Sequence, residues 1–267
     1  MANRLNYYFD KFKIAKKYSR NPFVFIQYLF LTRFYNEFNF EYEGKQFYIR
    51  KEDFVSLDEI LEGGEYSIIN NFPKDKAHIV LDLGANIGLF SLYFLSKFPS
   101  AKIISVEASV STYALLQKTI QHQKKSDWVA IKKAVYSEIT TIFFSNSGSS
   151  TARKILDNNS SSPVDKCETI TINDLINQAT ATGQKDKYIT IKIDIEGAEE
   201  KVVLQNNEWI SKVDFLIIEL HDNVDKPRII DTLKIFFNYV LDINRGGSQK
   251  PLLLFSKEKI EKLPFQN

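Results

Sequence analysis

From residue 79 onwards, short apolar runs rich in β-branched residues alternate with amphipathic segments. This alternation is typical of a parallel sheet with crossover helices, because both faces of such a sheet are covered and its strands are apolar throughout. It predicts an α/β fold with helices on both faces of the sheet. The predicted strands lie near Ile79–Leu83, Lys102–Glu107, Trp128–Ala134, Tyr188–Asp194 and Phe215–Leu220.

The amphipathic segments between these runs predict the crossover helices. Two later strand-like runs, Tyr239–Ile243 and Pro251–Ser256, flank a pair of glycines and predict an antiparallel pair that closes the sheet. The predicted helices lie near Leu89–Phe98, Ser111–Gln123 and Ala198–Asn206.

Residues 145–165 are rich in serine and asparagine and poor in side chains that could pack. We expect a long loop there, and long loops in compact domains are often lids. Arg153 in this loop and Tyr66 just before the first core strand could reach a cleft at the edge of the sheet. His78 and His122 have no partner at ligand spacing, so we assign them a packing or surface role.

The N-terminal residues 1–63 carry a different pattern. Within residues 5–35 apolar residues recur every three to four positions, which predicts two helices. Alternation from Phe38 to Arg50 around Glu43-Gly44 predicts a hairpin. We therefore expect an N-terminal helical plus hairpin extension over residues 1–63, followed by the main domain over residues 64–267.

The longest apolar run near the start, Phe23–Leu31, is about half the length of a membrane-spanning helix, so we expect no transmembrane segment. Basic residues lie on both sides of this run, unlike the arrangement in a secretory signal. Lysines within residues 4–35 could rest on an anionic membrane surface, although a charge run on a helix is usually its solvated face.

Composition narrows the classes of partner. The net charge of +2 creates no field that would gather polyanions, so nucleic acid is not an expected partner. Cys167 is the only cysteine, which excludes an intramolecular disulfide and a cysteine-based zinc site. Nothing indicates an oxidising compartment, and a cytoplasmic location is the default expectation. The sequence makes no prediction of the oligomeric state.

The turn after the first core strand carries the strongest signal of a ligand site. Gly84 and Gly88 bracket a tight turn that lets backbone amides approach a ligand and that opens a helix. A dinucleotide fingerprint would need glycines where Asn86 and Leu89 stand. Together with Asp82 before the turn, the pattern suits a ligand with an ammonium and a carboxylate group, such as S-adenosylmethionine.

Glu107 ends the second core strand. A carboxylate at this position, beside the glycine turn, can accept hydrogen bonds from both ribose hydroxyls of a nucleoside. A glycine turn or a strand-end acid alone is weak evidence, but the two in this order are fairly specific.

A second constellation follows the later strands. Side chains alternate along an extended segment, so Asp194 and Glu196 share one side, and Glu219 and His221 repeat that arrangement on the next strand. His221, Asp194 or Glu219 could take a proton from a hydroxyl, His221 being the first choice. Alternatively, Asp194, Glu196, Glu219 and His221 could hold a Mg²⁺ or Mn²⁺ ion that lowers the hydroxyl pKa. For Glu199 we favour a role in stabilising a helix start.

Four segments together resemble the FkbM family of S-adenosylmethionine-dependent methyltransferases. The resemblance covers roughly residues 64 to 222, and the run from Lys192 to Glu199 is its most distinctive part. The segments are Val80–Gly88, Val106–Ser109, Lys192–Glu199 and Glu219–His221.

This resemblance implies a Rossmann-like, seven-stranded class I methyltransferase sheet and methyl transfer to oxygen. Members of the family act on hydroxyls of sugars, glycans and polyketide-type natural products, so a small-molecule or glycan acceptor is expected. Residues 1–63 match no family pattern, and they could cap the site or bind the acceptor. The cofactor residues carried over are Asp82, Gly84, Asn86, Gly88, Glu107 and Asp194.

Two alternatives come from other classes of function. An amino-group methyltransferase would carry Asn or Asp followed by two prolines and an aromatic residue where Asp194–Gly197 stands, so nucleobase methylation is disfavoured. A non-catalytic scaffold that only binds a partner should have lost some of the glycines and acids of the site, and none is missing.

Overall fold

The computed structural model describes residues 13, 16–19, 37–62, 64–123, 127–145, 155–156, 164–181, 186–244 and 250–260. The helices expected within residues 5–35 lie almost wholly outside this part of the chain, as do Arg153 and the glycine pair near residue 246. The strands are β1 Glu37–Tyr42, β2 Lys45–Arg50, β3 Ala77–Leu83, β4 Lys102–Val106, β5 Asp127–Ile131, β6 Ala134–Val135, β7 Thr141–Ser145, β8 Ile155–Leu156, β9 Val164–Ile170, β10 Lys187–Ile193, β11 Phe215–Glu219, β12 Tyr239–Asp242 and β13 Leu252–Ser256.

A seven-stranded sheet forms the centre of the fold, in the order β12-β13-β11-β10-β3-β4-β5. Neighbours from β5 through β4, β3 and β10 to β11 are parallel, whereas β13 is antiparallel to both β11 and β12. The predicted seven-stranded sheet and its closing antiparallel pair are therefore confirmed. Strand order reverses between β3 and β10, and ligands bind at such switch points, beyond the carboxyl ends of the strands.

Helices cover both faces of this sheet, as predicted. In β11, Phe215 and Ile217 face one apolar cluster and Leu216 and Ile218 face the other, because strand side chains alternate. Helices α2 and α3 pack on the first face, and helices α4, α5 and α6 pack on the second. The helices are α1 Phe54–Leu57, α2 Leu89–Lys97, α3 Val110–Gln121, α4 Ile172–Thr180, α5 Glu199–Leu204 and α6 Lys226–Leu233.

The N-terminal hairpin is confirmed. Strands β1 and β2 pair antiparallel, and the pairing of Tyr42 with Lys45 places the turn at Glu43-Gly44. Phe40 and Phe47 of the hairpin are fully buried in the same apolar cluster as α2. Short helical turns then follow β2, and several of their residues between 52 and 66 lie beside the carboxyl ends of the strands before the chain enters β3.

A second sheet of four strands, in the order β6-β9-β7-β8, was not predicted. Residues 155–156 and 164–165 are strands in this sheet, so the expectation of a loop throughout 145–165 is wrong there. The sequence does not predict β8 and the start of β9, because the segment is rich in serine and shows no alternating apolar pattern. Both strands form by pairing with β7. The remaining residues of that segment lie outside the described part of the chain.

Within the described residues, no helix combines the length and the apolar character needed to cross a bilayer.

Phe215 tests how strongly the fold depends on the central apolar cluster. This side chain is fully buried on β11 and stacks on Phe72, with ring centroids 4.4 Å apart. Phe215→Ala is expected to lower the free energy of unfolding by about 3–5 kcal/mol, measured by urea unfolding, because it leaves a cavity. Ile235→Ala is the control, since Ile235 is 77% exposed and should change the free energy by less than about 0.5 kcal/mol. Equal changes in the two variants would contradict the prediction.

Candidate functional site

The loop between β3 and α2 lies directly against the end of β10. Gly84 has φ +73°, and a Cβ there would lie 1.8 Å from the backbone oxygen of Asp194, so no other residue fits. Gly88 caps α2 with φ +86°, and a Cβ there would lie 2.6 Å from a methyl carbon of Leu116. The two glycines therefore allow the loop to touch two neighbouring elements at once.

Glu107 holds this loop from the end of β4. Its Oε2 accepts a hydrogen bond from the backbone N–H of Asn86 (3.0 Å), and its Oε1 accepts one from the N–H of Ser109 (2.8 Å). Each carboxylate oxygen can accept a second hydrogen bond. The glycine turn and the strand-end acid therefore meet, as the sequence order indicated. The buried Oδ1 of Asn86 has no hydrogen-bond partner among the described residues, so it can receive a ligand donor.

Beneath the loop lies the buried ammonium of Lys192, on β10. Its Nζ donates to the backbone oxygen of Gly84 (2.8 Å), and lies 3.2 Å from Asp194 Oδ2 and 3.6 Å from Asp82 Oδ1. Burial by itself would lower the pKa of Lys192, but Asp194 and Asp82 outweigh it and raise the pKa, so the group is a cation. Lys192 is a site residue that the sequence interpretation missed. Its position within an apolar strand could have indicated this role, because a buried lysine is rare unless an acid pairs with it.

Asp82 has no exposed surface. Its Oδ2 accepts a hydrogen bond from Ser91 Oγ (2.6 Å), and burial raises the pKa of the carboxyl, an effect that Lys192 partly opposes. Asp82 therefore contacts Lys192 beneath the loop and does not line the cavity described below.

The imidazole of His221 brings the second constellation together at the ends of β10 and β11. His221 is 5% exposed, and its Nε2 lies 3.1 Å from Glu196 Oε2 and 3.8 Å from both Asp194 Oδ1 and Glu219 Oε1. These four residues therefore meet, as the sequence predicted. Nε2 is within ion-pair distance of Glu196 but is not aligned for a hydrogen bond.

Glu199 also belongs to this cluster. The sequence interpretation gave it only a role at the start of a helix and missed its contact with His221. It begins α5, as expected, but its carboxylate is fully buried and turns back towards the strand ends. Its Oε1 accepts hydrogen bonds from His221 Nδ1 (2.8 Å) and from the backbone N–H groups of Gly197 (3.1 Å) and Ile195 (3.3 Å). The sequence could have indicated this, because residues three apart on a helix share one face and Val202 is an apolar residue of this helix.

Charge sets the protonation state of His221. Burial by itself would lower its pKa, but contact with Glu196 and Glu199 outweighs burial and raises the pKa to about 10. The unliganded imidazole is therefore protonated at neutral pH. A protonated imidazole cannot accept a proton, which favours a carboxylate for that role.

Comparison with known proteins identifies the family. A family model described as the methyltransferase FkbM domain matches residues 82–241, more than half of the chain. The chain belongs to the FkbM methyltransferase family. It is therefore a methyltransferase, with S-adenosylmethionine as the methyl donor, and the matched residues include the glycine loop and the His221 cluster.

Two curated relatives of this chain are themselves named as methyltransferases. Methyltransferase sdnD of Sordaria araneosa is 42% identical over 52 residues, which cover 20% of this chain but only 19% of sdnD. Methyltransferase 1 of Beauveria bassiana (strain ARSEF 2860) is 26% identical over 173 residues, which cover 57% of this chain and 67% of the relative.

Among solved structures, the chain is similar to a precorrin-6y C5,15-methyltransferase of Geobacter metallireducens GS-15, with a TM-score of 0.42, 6% identity, and coverage of 73% of this chain and 87% of the other. It is also similar to an S-adenosylmethionine-dependent methyltransferase of Agrobacterium tumefaciens, with a TM-score of 0.42, 11% identity, and coverage of 84% and 71%. At these identities the similarity concerns the fold alone.

A cavity of about 540 Å³ connects the glycine loop to the His221 cluster. Asn86, Asp194 and Glu219 line one side of this cavity, at the edge of the sheet. Several residues between 52 and 66 also line it, so the N-terminal part of this methyltransferase contributes a wall of the site. Tyr66 lines that wall, as the sequence suggested, whereas Arg153 lies outside the described residues.

The two remaining histidines have packing contacts, as expected. His78 is buried in an aromatic group and contacts Thr190 Oγ1 (3.2 Å) and the backbone oxygen of Pro73 (3.0 Å). His122 contacts the hydroxyl of Tyr48. Neither lines the cavity.

Glu65 in the N-terminal wall carries a testable pH dependence. Burial, with a smaller contribution from Glu59, raises its pKa from 4.5 to about 7. Because the folded pKa lies above the unfolded one, its stabilising effect is complete below about pH 4.5 and is lost as the pH rises towards 7. Glu65→Gln should therefore raise the melting temperature relative to the wild type at pH 8 and leave it unchanged near pH 4.5, measured by circular dichroism.

Glu138→Gln is the matched control for this experiment, because Glu138 is exposed on the turn between β6 and β7. It should show no difference from the wild type that grows with pH. If Glu65→Gln shifted the melting temperature equally at every pH, the raised pKa would not be the cause.

Proposed function

We propose that this methyltransferase transfers a methyl group from S-adenosylmethionine to a hydroxyl oxygen of a small molecule or glycan, of the sugar or natural-product type. The observation that carries the proposal is the position of Asp194. Its Oδ2 contacts Lys192 under the cofactor loop, its Oδ1 faces His221, and the residue lines the cavity. One carboxylate therefore joins the cofactor loop to the place where an acceptor would lie.

S-adenosylmethionine fits the loop that Gly84, Asn86 and Gly88 form. Backbone amides of this turn and the free Oδ1 of Asn86 would receive its polar groups, and the carboxylate of Glu107 would accept hydrogen bonds from its ribose hydroxyls. Asp194, at the cavity side of the loop, would attract the ammonium of the bound cofactor. When bound, the cofactor supplies an electrophilic methyl group.

The residues at the cavity floor would remove the acceptor proton. Asp194 is the residue we assign to this step, because its carboxylate is partly exposed to the cavity while His221 is already protonated. His221 would hold Asp194 and Glu219 in place through its charge. In a second version, a divalent cation held by Asp194, Glu219 and His221 would lower the pKa of the hydroxyl.

Glu107→Gln tests the cofactor site. The variant keeps the size of the side chain but removes the charged acceptor, so affinity for S-adenosylmethionine should fall by about 1.5–3 kcal/mol, or about tenfold to 150-fold, in a calorimetric titration. Glu138→Gln should bind with wild-type affinity. An unchanged dissociation constant in a folded Glu107→Gln variant would remove Glu107 from the cofactor site.

Asp194→Asn tests the hydroxyl chemistry. The wild type should convert alcohols of a sugar and natural-product panel to O-methyl products, detected by mass spectrometry and NMR, and should leave the matched deoxy compounds unchanged. Asp194→Asn should lower kcat by about 10²–10⁴, the usual contribution of a general base. Asp231→Asn, an exposed carboxylate on α6, should retain wild-type kcat. Methylation of amines alone, or full activity in Asp194→Asn, would contradict the proposal.

A further inference from the structure

One buried nitrogen at the floor of the cavity lacks a hydrogen bond. Nε2 of His221 has no aligned partner among the described residues, although His221 is more than nine-tenths buried. Buried polar atoms nearly always have a partner, so an orphan of this kind calls for one that the protein chain does not supply. This nitrogen points at three carboxylates, those of Asp194, Glu196 and Glu219.

Three of these side chains have the geometry of a metal site. Asp194, Glu219 and His221 each offer a ligand atom, and the three atoms lie within 4.8 Å of one another. Nε2 is 3.8 Å from Asp194 Oδ1 and 3.8 Å from Glu219 Oε1. Adjacent ligands of an octahedral Mg²⁺ at 2.0–2.1 Å are about 3 Å apart, so small side-chain movements would bring Nε2 and each of these oxygens to ligand spacing. Glu196 lies outside this group of three.

The other ring nitrogen of His221, Nδ1, is held by a hydrogen bond that orients the ring for metal binding. Nδ1 donates its proton to Glu199 Oε1 at 2.8 Å, so an entering cation would displace the proton of Nε2 to solvent and bind the lone pair left there. Metal-binding histidines almost always donate their second N–H to a carboxylate or carbonyl in this way. Glu199 is itself held by two backbone N–H groups, so the orientation of the ring is set before any ion arrives.

The two lysines nearby leave the ligand atoms accessible. Lys192 contacts the Oδ2 of Asp194, so Oδ1 remains directed at His221. Lys250 is 3.4 Å from Glu219 Oε1, and it approaches on a side chain that is 36% exposed and can move towards solvent. An entering cation would take over the charge that Lys250 now contributes.

We propose that Asp194, Glu219 and His221 bind one divalent cation of the Mg²⁺ and Mn²⁺ class, with Glu199 as the positioning residue that orients the imidazole. Carboxylate oxygens and one imidazole suit these hard ions. The use of the ion to lower the pKa of an acceptor hydroxyl rests on the proposed function, whereas the binding of the ion does not.

Mn²⁺ alone is the probe for the test. The 267-residue chain, treated with chelator and free of S-adenosylmethionine, is titrated with Mn²⁺, and free Mn²⁺ is measured by electron paramagnetic resonance. One site per chain is expected, with affinity at least about tenfold lower in Asp194→Asn and His221→Ala. Glu199→Gln should lose about 10–100-fold, the usual effect of a residue that orients a ligand.

Asp222→Asn is the matched control. Asp222 follows His221 directly and is exposed, with its carboxylate on Lys226, so the variant removes the same charge without removing a ligand. Its Mn²⁺ affinity should stay within about twofold of the wild type. If Asp222→Asn and Asp194→Asn lost the same Mn²⁺ affinity, the ion would be attracted only by the overall negative charge of this surface. That result would overturn the proposal.

A spectroscopic readout on the wild type does not depend on whether the variants fold. Electron spin echo modulation of bound Mn²⁺ should show coupling to a single imidazole nitrogen, and its absence would overturn the assignment of His221. A separate calorimetric titration with S-adenosylmethionine in chelator distinguishes the two proposals. Cofactor binding without a Mn²⁺ site overturns only the cation proposal, and a Mn²⁺ site without cofactor binding overturns only the proposed function.

Discussion

The ammonium of Lys192 is the interaction on which the site depends. Buried below the glycine loop, it contacts the backbone oxygen of Gly84, the buried carboxylate of Asp82 and the partly exposed carboxylate of Asp194. Without this charge, two carboxylates would face each other across a dry interior, where like charges repel strongly. The loop and the strand end therefore share one electrostatic centre, and neither can shift without disturbing the other.

A second centre lies at the end of the next strand, around the imidazole of His221. Its Nε2 faces the carboxylates of Asp194, Glu196 and Glu219, and its Nδ1 is hydrogen-bonded to Glu199. Asp194 belongs to both centres, with one oxygen towards each. Buried charge is tolerated only when it is paired and hydrogen-bonded, and here each cation meets more than one acid. The carboxylates of Asp194, Glu196 and Glu219 are therefore held by specific contacts with buried cations.

Much of this arrangement could be predicted because it follows from strand geometry. Apolar runs mark the strands, parallel strands end at one edge, and the i, i+2 spacing puts Asp194 beside Glu196 and Glu219 beside His221. What sequence reasoning missed depends on contacts between distant residues. The sequence shows Glu199 only as a helix residue because its bond to His221 needs the fold, and it shows β8 as loop because pairing with β7 defines that strand. The helices within residues 5–35 stay a prediction.

The cavity has two walls of different origin. The strand ends and the glycine loop lie within the matched residues 82–241, whereas the lining residues between 52 and 66 and Lys250 lie outside that stretch. Evolution can therefore change the shape and charge of the second wall by substitutions that leave every contact of Lys192 and His221 in place. The residues that surround the two buried cations and the residues that shape the facing wall can therefore vary independently of one another.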